Sequence, residues 1–280
     1  MSKVSNKSVD TNVHAAPKAP LQAATVMLLR DGKAGIESFM LERNKAIKFA
    51  SGAVVFPGGK VDPNDADEAL IPYLQGAGEF DADTRALRIA AIREVFEESG
   101  VLLARRRGQQ QNLTQAEVAA IADAHRGPLL TDNISILAVL QHHDLQLLTV
   151  ELVYFAHWIT PNIRPTRFDT HFYLVALPAE QVAEHDGDES VSSRWINAST
   201  APQDIAAAGY SAMTPTLMNL DKVSRHPNVL AAMNAARATE VVTVQPDVRE
   251  AADGTRTVYI PEAAGYGTSS YPFKPGWVKS

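Results

Sequence analysis

Three glutamates, Glu94, Glu97 and Glu98, stand at positions i, i+3 and i+4 of a stretch that reads as helix. Leu87, Ala90, Ala91 and Val95 recur at helical spacing between about Thr84 and Ser99, and Gly100 is a natural terminator. The carboxylates therefore share one face of the helix while apolar residues line the other. The apolar face has to be laid on a core. The acidic face cannot approach that core without positive charge beside it. A hard divalent cation with oxygen ligands supplies such charge, and magnesium is the usual one beside phosphates. Arg93, four residues before Glu97, can orient that carboxylate. An E-x-x-E-E pattern alone is more often a solvated helix end. The apolar opposite face and the strand–glycine turn upstream favour the functional reading here.

That turn is Pro57-Gly58-Gly59, at the end of the β-rich run ASGAVVFPGGKVD. A strand feeding a glycine pair implies backbone brought close to another group. Before it, LQAATVMLLRDG and IESFMLERN read as two strands, the first ending in the turn signal Asp31-Gly32. The segment from Pro63 to Phe80 is acidic and irregular, with room for one short helical piece. TQAEVAAIADAHRG predicts a helix with Thr114 as N-cap and Glu117 three residues later. ISILAVLQHHDL predicts another, and Arg105 to Gln111 a solvated loop between. VELVYFAHWI, FDTHFYLVAL and SSRWINAS read as strands, Thr200 to Ala236 as mostly helical, VVTVQPDVREAADGTRTVYI as a hairpin, and the final GYGTSSYPFKPGW as extended chain on the surface. Trp158 and Trp195 are expected in the core.

Composition limits the chemistry. The 280-residue chain has no cysteine, which excludes disulfides, zinc–thiolate sites and a cysteine nucleophile. A net charge of -6 argues against nucleic acid as a partner, because that surface is usually basic. No apolar run approaches the roughly 20 residues that span a membrane. The polar first twenty residues read as a disordered tail with no secretory signal, which makes the cytoplasm the default location.

The run Arg93-Glu94-Val95-Phe96-Glu97-Glu98-Ser99-Gly100-Val101 resembles the core of the Nudix box, and Gly58-Gly59 resemble the glycines that open it. In the usual box a glutamate follows the opening glycine by six residues, and the arginine follows eight later. Here Gly59 and Arg93 are separated by 34 positions, about twenty more than usual. Counting back eight from Arg93 reaches Arg85, so on that count the first glutamate has no equivalent. A box split by an insertion resembles the branch containing the peroxisomal coenzyme A diphosphatase and its bacterial relatives. The segments FMLERN, FASGAVVFPGGKVD, AAIREVFEESGVLL, HWITP, RFDTHFYLVALP and SRW share that resemblance, which runs from about Ala23 to Trp195.

The resemblance implies an α/β/α sandwich with a mixed sheet, as one domain over 21–280. Insertions fall at about 63–82 and 104–150, and a helical and extended C-terminal part follows from about 200. The added helices could cap a substrate pocket or form a homodimer contact. It also implies a hydrolase that uses magnesium or manganese to cut the pyrophosphate of a nucleoside-diphosphate compound. Glu94, Glu97 and Glu98 would hold one to three metal ions, Glu97 or Glu98 the attacking water, and Arg93 would position Glu97. Glu189, six residues before Trp195 in HDGDESVSSRW, would be a further ligand or general base, though that segment also reads as an Asp/Gly-rich turn. Arg43 and Arg167 are candidates for phosphate contacts through their forked donors, or surface ion pairs. Arg105 to Arg107 could meet a 3′-phosphate or simply be solvated. His142-His143, about 100° apart on a helix, read as solvent-facing or capping.

Coenzyme A or an acyl-coenzyme A is the substrate that the branch implies. The alternatives are ADP-ribose, another ADP-sugar or a dinucleotide, because one metal helix can serve them all. A non-catalytic nucleotide-binding module is a third reading, disfavoured because Glu94, Glu97 and Glu98 are all present.

Overall fold

A computed structural model describes residues 19–44, 52–162 and 166–272. The tail expected over the first twenty residues and the end of the final extended segment lie mostly outside them.

The order of elements is β1 (Leu21–Gly32), β2 (Gly35–Arg43), β3 (Val54–Val55), β4 (Gly58–Lys60), α1 (Ala82–Ser99), β5 (Ala104–Arg106), α2 (Gln115–Leu130), α3 (Ile136–His143), β6 (Leu145–Leu147), β7 (Val153–Ile159), β8 (Phe168–Ala176) and β9 (Ser190–Asn197). Then follow α4 (Ala201–Ala207), α5 (Thr214–Ser224), α6 (Val229–Arg237), β10 (Thr243–Val244), β11 (Asp247–Glu250), β12 (Arg256–Tyr259) and β13 (Ser270–Pro272). The main sheet is mixed, in the order β10-β7-β8-β1-β2-β3, with β4 also on β1 and β9 also on β2. β8 runs parallel to β1, and β2, β4 and β9 pair antiparallel with their neighbours.

Alternation along β1 sorts the core into two layers. Ala24, Val26 and Leu28 face a cluster built with α1, α2 and α3, while Met27 and Leu29 face one built with α4, α5 and α6. The result is the expected α/β/α sandwich. α1 is buried around most of its circumference because sheet and helices enclose it, with Leu87, Ile89, Ile92, Val95 and Phe96 all buried. Each such side chain contributes roughly 1.5–3 kcal/mol of burial. The helices of 104–150 and those after 200 thus pack on opposite faces of the sheet.

Several local expectations shift. The first hairpin turns at Lys33-Ala34, between paired Gly32 and Gly35, and Asp31 instead accepts the Val229 backbone N–H at 2.8 Å. The segment after Pro63 holds three 3-10 turns, at Pro63–Ala66, Glu68–Tyr73 and Ala77–Glu79. α1 starts at Ala82 because Asp81 caps it, accepting from the Thr84 N–H. Arg105 and Arg106 lie in a short strand paired with β6, not in a loop. The late hairpin, β11 with β12, gains β13 as a third strand. Thr114 and Glu117 form the capping box that starts α2. Trp158 is buried; Trp195 sits at the core's edge, edge-on to Phe39 and under the Arg30 guanidinium.

Candidate active site

The glycine pair sits where β1 parts from β2. β1 pairs with β2 over Leu29–Gly32 and with β4 over Ala23–Thr25 on the same edge. The chain between β3 and β4 fills this fork, and its tip reaches the C-terminal half of α1. Each glycine has its own steric reason. A Cβ on Gly58, at φ +153°, would lie 2.5 Å from the Ala24 carbonyl, and a Cβ on Gly59 would strike the Glu94 carboxylate.

Glu94, Glu97 and Glu98 converge on this tip. Glu98 is almost fully buried and accepts the Gly58 N–H at 2.8 Å. Arg93 donates to Glu94 at 2.8 Å and to Glu97 at 3.0 Å, as the i, i+4 spacing predicts for the second. Its other nitrogens bond Asp65 twice, at 2.9 Å, and the Lys60 carbonyl at 3.0 Å.

Asp65 is the residue that counting back from Arg93 misses. Counted forward, it stands six residues after Gly59, where the box has its first glutamate. The extra residues therefore fall after Asp65, and the 3-10 turns at 68–79 and the first turns of α1 take them up. Asp65 is itself held by a capping box: its side chain accepts the Asp62 N–H at 2.8 Å while Asp62 accepts from Asn64. The Asp62-Pro63-x-Asp65 spelling carries this signal in the sequence.

Glu189 is brought to the same place from 91 positions beyond Glu98. It forms a 2.6 Å ion pair with Arg43, whose other terminal nitrogen lies 4.0 Å from Glu98. The Asp186 carboxylate accepts from the backbone of Asp188 and Glu189, so the Asp/Gly-rich turn is present and orients Glu189 toward Arg43. Arg43 therefore appears as a partly buried ion pair, with its Nε unbonded. Arg167 does not join this group through its Nε, which donates to the Thr160 carbonyl at 3.0 Å and ties the ends of the β7–β8 connection.

The charge balance is uneven. Among the described residues, Asp65, Glu94, Glu97, Glu98 and Glu189 form their ion pairs with Arg93 and Arg43, and the Arg126 guanidinium also feels the charge of Glu98. The glutamates also lie at the negative end of the α1 dipole. Burial pushes the Glu97 carboxyl up to about 7 against the pull of Arg93, and raises Glu94 likewise. Burial and the charge of Glu94 hold Glu98 well above the usual range. Arg93 stays firmly charged: burial opposes its charge, but Asp65 and the glutamates outweigh it. This oxygen-rich donor set with a charge deficit fits a hard divalent cation. Arg126 on α2 secures the frame, donating to the Glu97 carbonyl at 2.7 Å and the Glu184 carbonyl at 3.0 Å.

Two other groups were not legible as clusters in the sequence. His157, Asp169 and His171 meet on β7 and β8, where His171 lies in one sheet row with Ala24 and Gly59. His125, inside α2, joins His142 and His143 at the C-terminal end of α3. A cavity of about 160 Å³ between β9 and α4, lined by Arg194, Asp204 and Tyr210, contains none of the carboxylates above. Among the described residues, no helix is long and apolar enough to cross a membrane.

A family model describing the NUDT19 Nudix domain matches residues 74–222. The chain is 28% identical to the human acyl-coenzyme A diphosphatase NUDT19, covering 60% of this chain and 55% of that protein. It is 25% identical to the Xenopus laevis protein of the same name, covering 60% and 54%. The chain thus spans about half the length of these curated relatives. The crystal structure of a NUDIX hydrolase from Alicyclobacillus acidocaldarius is 30% identical, covers 77% of this chain and 96% of its own, and superposes with a TM-score of 0.61.

Proposed function

This chain belongs to the Nudix hydrolase family, and on that premise we propose that it uses a divalent cation, magnesium or manganese, to cleave the pyrophosphate bond of coenzyme A or an acyl-coenzyme A. The observation that supports the chemistry is the gathering of Glu94, Glu97 and Glu98 around Arg93 and the Gly58-Gly59 tip, where carboxylates outnumber the guanidiniums among the described residues. The substrate rests on the likeness to the acyl-coenzyme A diphosphatases.

In this reading Glu94, Glu97 and Glu98 hold the cation. When bound, it offsets charge on the diphosphate oxygens and makes water a better nucleophile. Arg93 fixes the directions of Glu94 and Glu97, and Asp65 fixes Arg93. The Gly58 N–H and Arg43 fix Glu98. Glu97 or Glu98 accepts a proton from the attacking water, and Glu189 is a further ligand or base. Arg43 is a phosphate contact once substrate competes for its fork, and Gly58-Gly59 let the Glu94 and Glu98 carboxylates lie against the tip. Water adds across the P–O–P link, giving adenosine 3′,5′-bisphosphate and a 4′-phosphopantetheine compound.

The test is incubation with magnesium and a panel of coenzyme A, acetyl-coenzyme A, ADP-ribose, NADH and diadenosine polyphosphates, with products identified by mass spectrometry. Adenosine 3′,5′-bisphosphate with a phosphopantetheine product is expected. AMP from ADP-ribose or NADH, with coenzyme A untouched, would leave the helix chemistry standing and overturn the substrate.

A further inference from the structure

We propose that His125, His142 and His143 form a second cation site, selective for a borderline-soft ion such as zinc and separate from the carboxylates of α1. The three side chains come from the middle of α2 and the C-terminal end of α3, and one ligand nitrogen from each lies within 4.8 Å of the other two. His125 Nε2 and His143 Nε2 are 2.9 Å apart, so one of the two nitrogens carries the N–H and the other accepts it. The rings stand edge-to-face, with centroids 4.6 to 5.5 Å apart. Adjacent residues on a helix ordinarily diverge. Here His142 and His143 occupy the last turn, and Asp144 ends the helix in the left-handed conformation, φ 48°. Packing α2 against that turn brings His125 in as the third side.

Donor chemistry decides which ion fits. Three imidazoles with no carboxylate among them suit zinc and its neighbours, whereas magnesium prefers oxygen. Zinc–nitrogen bonds of about 2.0–2.1 Å in a tetrahedron require nitrogens roughly 3.3 Å apart. A small opening of the 2.9 Å pair and an inward turn of His142 reach that spacing. His142 is exposed and His125 and His143 are half-buried, so three ligands are preset while a fourth position faces solvent. One cation stands nearby: Arg106 donates to the His143 carbonyl, but Glu117 pairs with it at 3.1 Å and offsets its charge. The site shares no residue with the carboxylate cluster.

The experiment uses the full chain, purified without a polyhistidine tag and saturated with magnesium. Zinc is titrated by calorimetry, and bound zinc is counted by elemental analysis after dialysis. Wild-type protein is expected to hold one zinc that magnesium does not displace. His142→Ala and His125→Ala should each weaken it at least tenfold, while Glu98→Gln keeps it. His142 is exposed, so its variant should retain the wild-type thermal midpoint in the absence of zinc and remain informative if His125→Ala folds poorly. Zinc should raise the midpoint of wild type but not of His142→Ala. Equal zinc binding by wild type and His142→Ala, or loss of the zinc in Glu98→Gln, would overturn the proposal. Neither outcome depends on which diphosphate is cleaved.

Discussion

The C-terminal turns of α1 and of α3 both gather ionisable side chains, yet they are built in opposite ways. On α1 the groups are carboxylates sunk against a glycine tip, with backbone, Arg93 and Arg43 holding each carboxylate by at least one oxygen. On α3 they are imidazoles near the surface that touch mainly one another. Burial raises the free energy of the first group's charges, so its members are held in place at a standing electrostatic cost. The second group lies nearer the surface, where solvent lowers that cost. The difference teaches that preorganisation, not the mere presence of ligand atoms, favours the α1 turn as the proposed reaction centre.

Removing one buried carboxylate should break the comparison most sharply. Glu98→Gln keeps the shape and an acceptor for the Gly58 N–H but removes the charge. Turnover is expected to fall on the order of 10²–10⁴-fold, with the fold intact by circular dichroism. Near-normal turnover would remove Glu98 from the machinery.

A smaller effect is expected one step out. Asp65 acts through Arg93, so Asp65→Asn should reduce cation affinity or turnover by roughly 10–100-fold. Asp65→Glu should recover most of it. Magnesium titrations of the rate distinguish this from a general loss of stability, because a positioning role shifts the magnesium midpoint. An unchanged midpoint would make Asp65 a purely structural residue.

The smallest expected effect is on stability against pH. Glu97 is raised from an ordinary carboxylate value to about 7 when folded, so between those values the folded chain binds more protons than the unfolded one. Its stabilising contribution is complete at acidic pH and is lost as pH rises through about 7. Glu94 and Glu98 shift in the same direction. The thermal midpoint of metal-free protein should therefore fall by a few degrees between about pH 5 and about pH 7.5. Magnesium, or Glu97→Gln, should flatten that slope. A midpoint that rises over this range in metal-free protein would contradict the burial argument.

Local regularity was legible wherever neighbours in sequence are neighbours in space. The shared face of Glu94, Glu97 and Glu98, the glycine stop at Gly100, the Thr114–Glu117 capping box and the close approach at Gly58-Gly59 all follow from backbone geometry within a few residues. Asp65 was hidden because the insertion breaks the usual count on one side only. Arg167 offered either a phosphate contact or a surface ion pair by residue type, and the bond from its Nε to the Thr160 carbonyl joins positions seven apart across the β7–β8 connection. His142-His143 looked like a solvated pair because their third partner lies on another helix.

By itself, then, the sequence determined the elements, the acidic helix face and the family resemblance, since these rest on periodicity and short spacings. Only the tertiary structure decided which distant groups meet. Arg43 reaches Glu189 across 146 positions, Asp65 reaches Arg93 across 28, and the parallel pairing of β8 with β1 sets the row that ends at Gly59. No local pattern encodes such contacts. They arise because both faces of one sheet must be covered at once, and covering them fixes where every turn between the layers has to go.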